Sequence, residues 1–145
     1  MNSSNTQNSV ERGYRLWFLI DGVVTGANAA AYLVLSQVLP GLLGSTAVLY
    51  LTVGVVLALV TAGLLTVAWS KSRRGTLAVL LIFINFAWAA ASLVSAVANP
   101  FGFTAIGVIW TVAQAIIVLG FGLLQVRALR AARVGQADAL RITKV

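Results

Sequence analysis

The chain has 145 residues, of which 60% are hydrophobic and only 9% charged. An ordinary soluble domain is roughly half apolar and about a quarter charged, so too few polar side chains are present to cover a water-facing surface. A soluble globule, a disordered chain and a disulfide-stapled secreted scaffold are excluded, and a membrane protein remains. The sequence has no Cys and no His, which removes disulfides, thiol redox relays, the commonest zinc ligand and the usual general base. The three acids, Glu11, Asp21 and Asp138, lie far apart. No catalytic residue, no metal site and no cofactor is expected. Lys and Arg number 10, for a net charge of +7. In a soluble protein that balance would suggest nucleic acid; in a membrane protein the positions of the charges matter more.

Residues 1–10 are polar without an apolar face and read as the start of a flexible N-terminal tail over 1–12. The apolar run from Leu16 to about Leu39 is too long for a secretory signal and reads as a retained transmembrane helix. Pro40-Gly41 breaks it. A second span runs from about Thr46 to Trp69 and ends at the charged Ser70–Gly75 segment. A third covers about Thr76 to Ala98, followed by an Asn99-Pro100-Phe101-Gly102 turn. The fourth covers about Phe103 to Val126. Residues 128–145 form a basic tail that begins as a helical extension. The predicted fold class is all-α, an antiparallel four-helix transmembrane bundle over 13–127, because short loops make consecutive helices antiparallel.

Every basic residue falls on one side of these spans. Arg12 and Arg15 precede the first, Lys71, Arg73 and Arg74 lie between the second and third, and Arg127, Arg130, Arg133, Arg141 and Lys144 follow the fourth. The loops around Pro40 and Pro100 carry no charge. The positive-inside rule then predicts that both termini are cytoplasmic. Topology setting accounts for the basic face; it also offers a surface for anionic lipid headgroups or a membrane-protein partner. No nucleic acid is expected. Tyr14, Trp17 and Trp69 fall near the cytoplasmic boundary, and Tyr50, Phe101 and Phe103 near the outer one, as an aromatic belt would.

Two helical hairpins can be superposed. Pro40 matches Pro100, and Gly44-Ser-Thr-Ala-Val48 resembles Gly102-Phe-Thr-Ala-Ile106. Gly63-Leu-Leu65 resembles Gly122-Leu-Leu124, and Asn28 and Asn85 share nearly the same offset. A parallel repeat of the kind found in transporters would read this way, as would chance similarity between low-variety apolar segments. Gly22 and Gly26, continued by Ala30, form a small-residue stripe for close helix packing, either within the bundle or in a homo-oligomer.

Polar side chains inside the membrane point inward or mark function. Asp21 stands out, since an Asp at a helix centre costs about 2.5–3.5 kcal/mol on insertion scales. Helical spacing places Asp21, Thr25, Asn28 and Tyr32 on one face. The third span carries Asn85, Trp88, Ser92, Ser95 and Asn99; the fourth carries Thr104, Thr111, Gln114 and, nearer the cytoplasm, Gln125. By depth, Asp21, Asn28, Asn85 and Gln114 are predicted to surround one midplane site flanked by Trp88 and Trp110. Asp21 is expected to be partly protonated or hydrogen-bonded by Thr25, Asn28 or Asn85. Three readings compete: polar glue between helices, a ligand pocket, and a proton-coupled site.

The Asp21–Asn28 run (Asp-Gly-Val-Val-Thr-Gly-Ala-Asn), the Asn85–Ser92 run (Asn-Phe-Ala-Trp-Ala-Ala-Ala-Ser) and Gln114-Ala115 resemble a bacterial family of small four-span integral membrane proteins of actinobacterial type, without an established activity. The resemblance covers about residues 12–130. A looser likeness is to DoxX-like four-span proteins. Small multidrug transporters also combine four spans with an acid in the first, but their dual topology needs a weak charge bias, and the bias here is complete. The resulting expectation is a structural or accessory membrane protein holding a lipid or small apolar ligand between helices. The alternative is a small transporter that uses Asp21 and the midplane cluster.

Overall fold

The computed structural model describes residues 3–70 and 75–142. Five helices follow in order: α1 (Ser3–Val34), α2 (Leu39–Leu43), α3 (Ala47–Trp69), α4 (Gly75–Ala98) and α5 (Ala105–Ile142). Four of them are long and apolar enough to cross a membrane, over Asn8–Val34, Ala47–Trp69, Gly75–Ala98 and Ala105–Gly135. They form an all-α four-helix bundle. Its outer surface carries Val34, Leu59, Phe83, Val97 and Ile109, all largely exposed, with Val97 reaching 89%. That much continuous apolar surface fits a multi-pass membrane protein, whose outer surface faces lipid rather than water.

The boundaries of the first and fourth spans differ from the sequence reading. Helix α1 begins at Ser3, so most of the segment read as a tail is helical. The extension packs: Val10, Tyr14 and Phe18 join one core with Leu129 and Ala132 of α5. Once a helix is nucleated, each further residue adds a bond at little cost. At its other end α1 stops at Val34, five residues before the predicted end at Leu39. Pro40 explains this, because its ring would clash with the carbonyl of residue 36 and it has no N–H to donate. The chain turns over 35–38, Ser36 Oγ donates to the Leu33 carbonyl, and α2 restarts with Pro40 in its first turn. Helix α5 runs on to Ile142, well past the predicted span. Lys71, Arg73, Arg74 and Lys144, used above for topology, lie outside the described residues. Arg12, Arg15, Arg127 and Arg130 lie toward the same end of the bundle, called the basic end below.

The helices associate as two hairpins, α1 against α3 and α4 against α5, joined chiefly through α1 and α5. Small residues set the first contact. A Cβ on Gly22 would lie 2.9 Å from Leu65 Cδ2, and one on Gly26 would lie 3.0 Å from Thr61 Cγ2, so both glycines face α3 within the chain. Ala30, predicted to continue this stripe, is exposed, and Ala29 is buried instead. Each four-residue step advances about 40° beyond a full turn, so Ala30 has rotated off the face that Ala29, seven residues after Gly22, still holds.

The opposite, turn end is closed by the two loops. Gly44 and Gly102 both take positive φ, 81° and 66°. Two residues later, Thr46 Oγ1 accepts from the Leu49 N–H and Thr104 Oγ1 accepts from the Gly107 N–H, so each Thr caps the next helix. The Gly-x-Thr-Ala repeat therefore supplies a positive-φ glycine and a threonine cap twice, although Ser45 also takes positive φ and its counterpart Phe103 does not. The two copies also pair: Ser45 N donates to the Gly102 carbonyl and Thr104 N to the Leu43 carbonyl, an isolated bridge between Gly44 and Phe103. A Cβ on Gly107 would overlap the Leu43 carbonyl oxygen, so α2 rests directly on the backbone of α5. Tyr14 and Tyr50, read as belt residues, are buried. Tyr14 stacks on Phe18 at 5.1 Å, and the Tyr50 hydroxyl donates to the Gly44 carbonyl. Their rings were more useful in the core than at an interface, while Trp69 stays exposed.

Candidate functional site

The polar side chains within the bundle form two groups, not one. Nearer the basic end, the Asp21 carboxylate is fully buried. Its Oδ1 accepts from Thr25 Oγ1 at 3.0 Å, one helical turn on. Its Oδ2 accepts from Asn85 Nδ2 and Gln125 Nε2, both at 2.7 Å. Asn85 Nδ2 also donates to Gln125 Oε1 at 3.1 Å, so the three side chains close a ring across α1, α4 and α5. All donors to Asp21 are neutral. Four buried polar groups bonded to one another in this way form a sealed knot, the arrangement that a lipid environment demands of polar atoms.

Nearer the turn end stands a second network. Asn28 Nδ2 donates to Gln114 Oε1 at 2.8 Å. The Tyr32 hydroxyl accepts from Gln114 Nε2 at 2.7 Å and from Trp110 Nε1 at 2.8 Å. Tyr32 also meets Tyr50 edge-on, with centroids 5.5 Å apart. The hydrogen bonds of this network tie α1 to α5, and the ring contact with Tyr50 reaches α3.

The predicted quartet of Asp21, Asn28, Asn85 and Gln114 is thus split. Asp21 and Asn85 meet, Asn28 and Gln114 meet, and the pairs are separate. Of the expected partners of Asp21, Thr25 and Asn85 bond to it and Asn28 does not. Gln125, placed by its sequence position near the boundary, completes the knot. A signal for it was present. Asp21 and Tyr32 are eleven residues apart on α1, and Gln114 and Gln125 are eleven apart on the antiparallel α5. Eleven residues are close to three whole turns, or about 16 Å, so both pairs share a face and match rung for rung.

Two cavities adjoin the second network. The larger, about 490 Å³, lies between α1 and α5 and opens beside exposed Val24, Leu35, Leu42 and Ile117. The smaller, about 220 Å³, lies toward the turn end against Tyr50, Ser92, Ser95, Phe101 and Phe103. Both are walled by Tyr32, Leu43, Trp88, Trp110 and Gln114, which stand between them. Neither wall includes a charged residue, and neither includes Asp21 or Asn85. Thr25 and Asn28 contribute to the larger cavity only. Among the described residues there is no group of three or more acidic, His or Cys side chains that could hold a metal. The arrangement can bind an apolar molecule and orient a polar atom on it; it offers no nucleophile paired with a base. Comparison with protein-family models, curated proteins and solved structures gave no match.

Proposed function

We propose that this protein is a bacterial inner-membrane protein with cytoplasmic termini that holds a lipid or small apolar ligand between its helices, in a structural or accessory role without enzymatic chemistry of its own. The observation that carries this reading is the cavity of about 490 Å³ between α1 and α5, apolar in its walls and fitted with Asn28, Tyr32, Trp110 and Gln114. Concave apolar sites with a few convergent polar groups are the common form of small-molecule pockets. The polar knot around Asp21 supports the same reading, because Asp21, Asn85 and Gln125 line neither cavity, only Thr25 of the knot reaches the larger one, and the bonds tie three helices together. A transporter that used Asp21 would need that carboxylate on the ligand path.

Native mass spectrometry of the purified chain in mild detergent tests the proposal. Retained lipid or ligand mass on the wild type, lost when Ala31→Phe fills the cavity, is the expected outcome. Equal mass on both would refute it. The orientation rests on the one-sided distribution of the ten basic residues. Cys placed at Ser45 and at Ser72 should label from opposite sides, with Ser45 periplasmic. Anionic headgroups at the basic face are the expected surface partner.

A further inference from the structure

The smaller cavity has a donor-rich wall that no protein group satisfies. Trp88, Ser92 and Ser95 are spaced four and three residues apart and share one face of α4 toward that cavity. Among the described residues, neither the Trp88 indole N–H nor the Ser92 or Ser95 hydroxyl makes a hydrogen bond. Beside them the Tyr32 hydroxyl accepts from Trp110 and Gln114, with Asn28 as a third polar neighbour. Within a membrane an unmade hydrogen bond costs free energy that water cannot offset. An indole N–H can only donate, so the molecule that satisfies this wall must bring acceptors. The walls hold no charged side chain, and an ion buried there would lack a partner. The occupant is therefore neutral.

We propose that the paired cavities hold a neutral acyl-ester lipid of the mono- or diacylglycerol kind, its ester carbonyl seated on the Trp88–Ser92–Ser95 face of α4 and its chain lying in the larger cavity between α1 and α5. This rests on the reading that the larger cavity holds an apolar ligand, and it names the class. The five shared wall residues stand where the head meets the chain. Trp88 serves both parts, with its ring along the chain and its N–H toward the carbonyl. The opening beside Val24 and Ile117 lets the chain arrive sideways from the bilayer.

Bromine quenching of tryptophan fluorescence tests this on the full chain in mild detergent. Trp17→Phe and Trp69→Phe together leave Trp88 and Trp110, the two that line the cavities, as reporters. The probes are methyl dibromostearate and dibromooctadecane, an ester and a hydrocarbon of matched chain. The ester should bind about five- to tenfold more tightly, the worth of one or two net hydrogen bonds. Unlabelled diacylglycerol should displace it. In Trp88→Phe/Ser92→Ala/Ser95→Ala, with Trp110 as the remaining reporter, the preference should fall to about twofold or less with hydrocarbon binding unchanged, which separates a lost contact from a lost fold. Equal binding of the two probes would overturn the ester assignment and leave the apolar cavity standing. Tighter binding of ionised dibromostearate than of the ester would overturn its neutrality. Quenching by both probes that is undiminished in Ala31→Phe would overturn the cavity reading itself.

Discussion

Replacing Asp21 separates the shape of the polar knot from its charge. In Asp21→Ala, Gln125 Nε2 loses its acceptor, and Asn85 Nδ2 keeps only the bond to Gln125 Oε1. The Thr25 hydroxyl can turn to the backbone carbonyl of residue 21, so it adds little. Two buried amide hydrogens are left without acceptors. Each costs about 1–3 kcal/mol by soluble-protein experience, and about 0.6 kcal/mol on average, up to about 1.7, for side-chain bonds within membranes. Together they put Asp21→Ala at a loss of about 2–4 kcal/mol. Asp21→Asn behaves differently. Its amide oxygen can take the place of Oδ2 and keep both bonds across the bundle, while its NH2 donates to Thr25 Oγ1, which reverses its role. That variant should fall within about 1 kcal/mol of the wild type, near the scale of one membrane hydrogen bond. SDS-titration unfolding in mixed micelles, followed by circular dichroism, measures both. Asp21→Ala within about 0.5 kcal/mol of the wild type would mean that the knot does not hold the helices, since even two weak membrane bonds exceed that. Asp21→Asn as damaging as Asp21→Ala would mean that the charge, and not the bonding pattern, is what the bundle uses.

Other expectations follow from the turn end and the helix faces. Gly107→Ala should lower the unfolding midpoint through a loss of about 1–3 kcal/mol, because the added methyl meets the backbone of α2 and not a yielding side chain. Thr46→Ala removes a cap alone and should cost about 0.5–1 kcal/mol, whereas Thr104→Ala should cost about twice that in the same titration. The difference arises because Thr104 Oγ1 also donates to the Leu42 carbonyl. Ala30→Leu should leave stability within about 0.5 kcal/mol, while Ala29→Leu overpacks a buried site and costs about 1–3 kcal/mol. Tyr32→Phe removes the shared acceptor of Trp110 and Gln114. It should shift the Trp110 emission maximum to the blue in a background where Trp110 is the reporter, and an unchanged spectrum would count against the bond.

The four spans were legible because lipid forces the pattern: about 20 apolar residues per crossing, punctuated by Pro, Gly and charge. The internal likeness of the two loops was legible too, and it corresponds to a positive-φ glycine followed by a cap at Thr46 and Thr104. The sequence reading drew Asp21, Asn28, Asn85 and Gln114 as one group and left Gln125 outside it, whereas the structure divides them between two networks. Depth counted from a guessed span edge carries an error of about one turn, or 5.4 Å, and α1 and α5 both run beyond the edges assumed for them. A hydrogen bond tolerates far less than that. Spacing along each helix has no such error, and the equal eleven-residue intervals on α1 and α5 pointed to the true pairing. The ends of α1 were hidden for another reason: its polar start acquires a reason to be helical only from α5 beside it, where Val10 and Tyr14 meet Ala132.

The two rungs between α1 and α5 also decide which motions the bundle allows. Asp21 with Gln125 and Tyr32 with Gln114 are set at the same interval on both helices. A sliding movement of one helix along the other would break both rungs at the same instant. A piston stroke therefore costs this pair both sets of bonds together. Splaying at the turn end would leave the Asp21 knot in place but break the bonds of Asn28 and Tyr32 to Gln114 and pull against the pairing of the two loops. The pair is thereby held in two directions, by its rungs along the axis and by its loops across it.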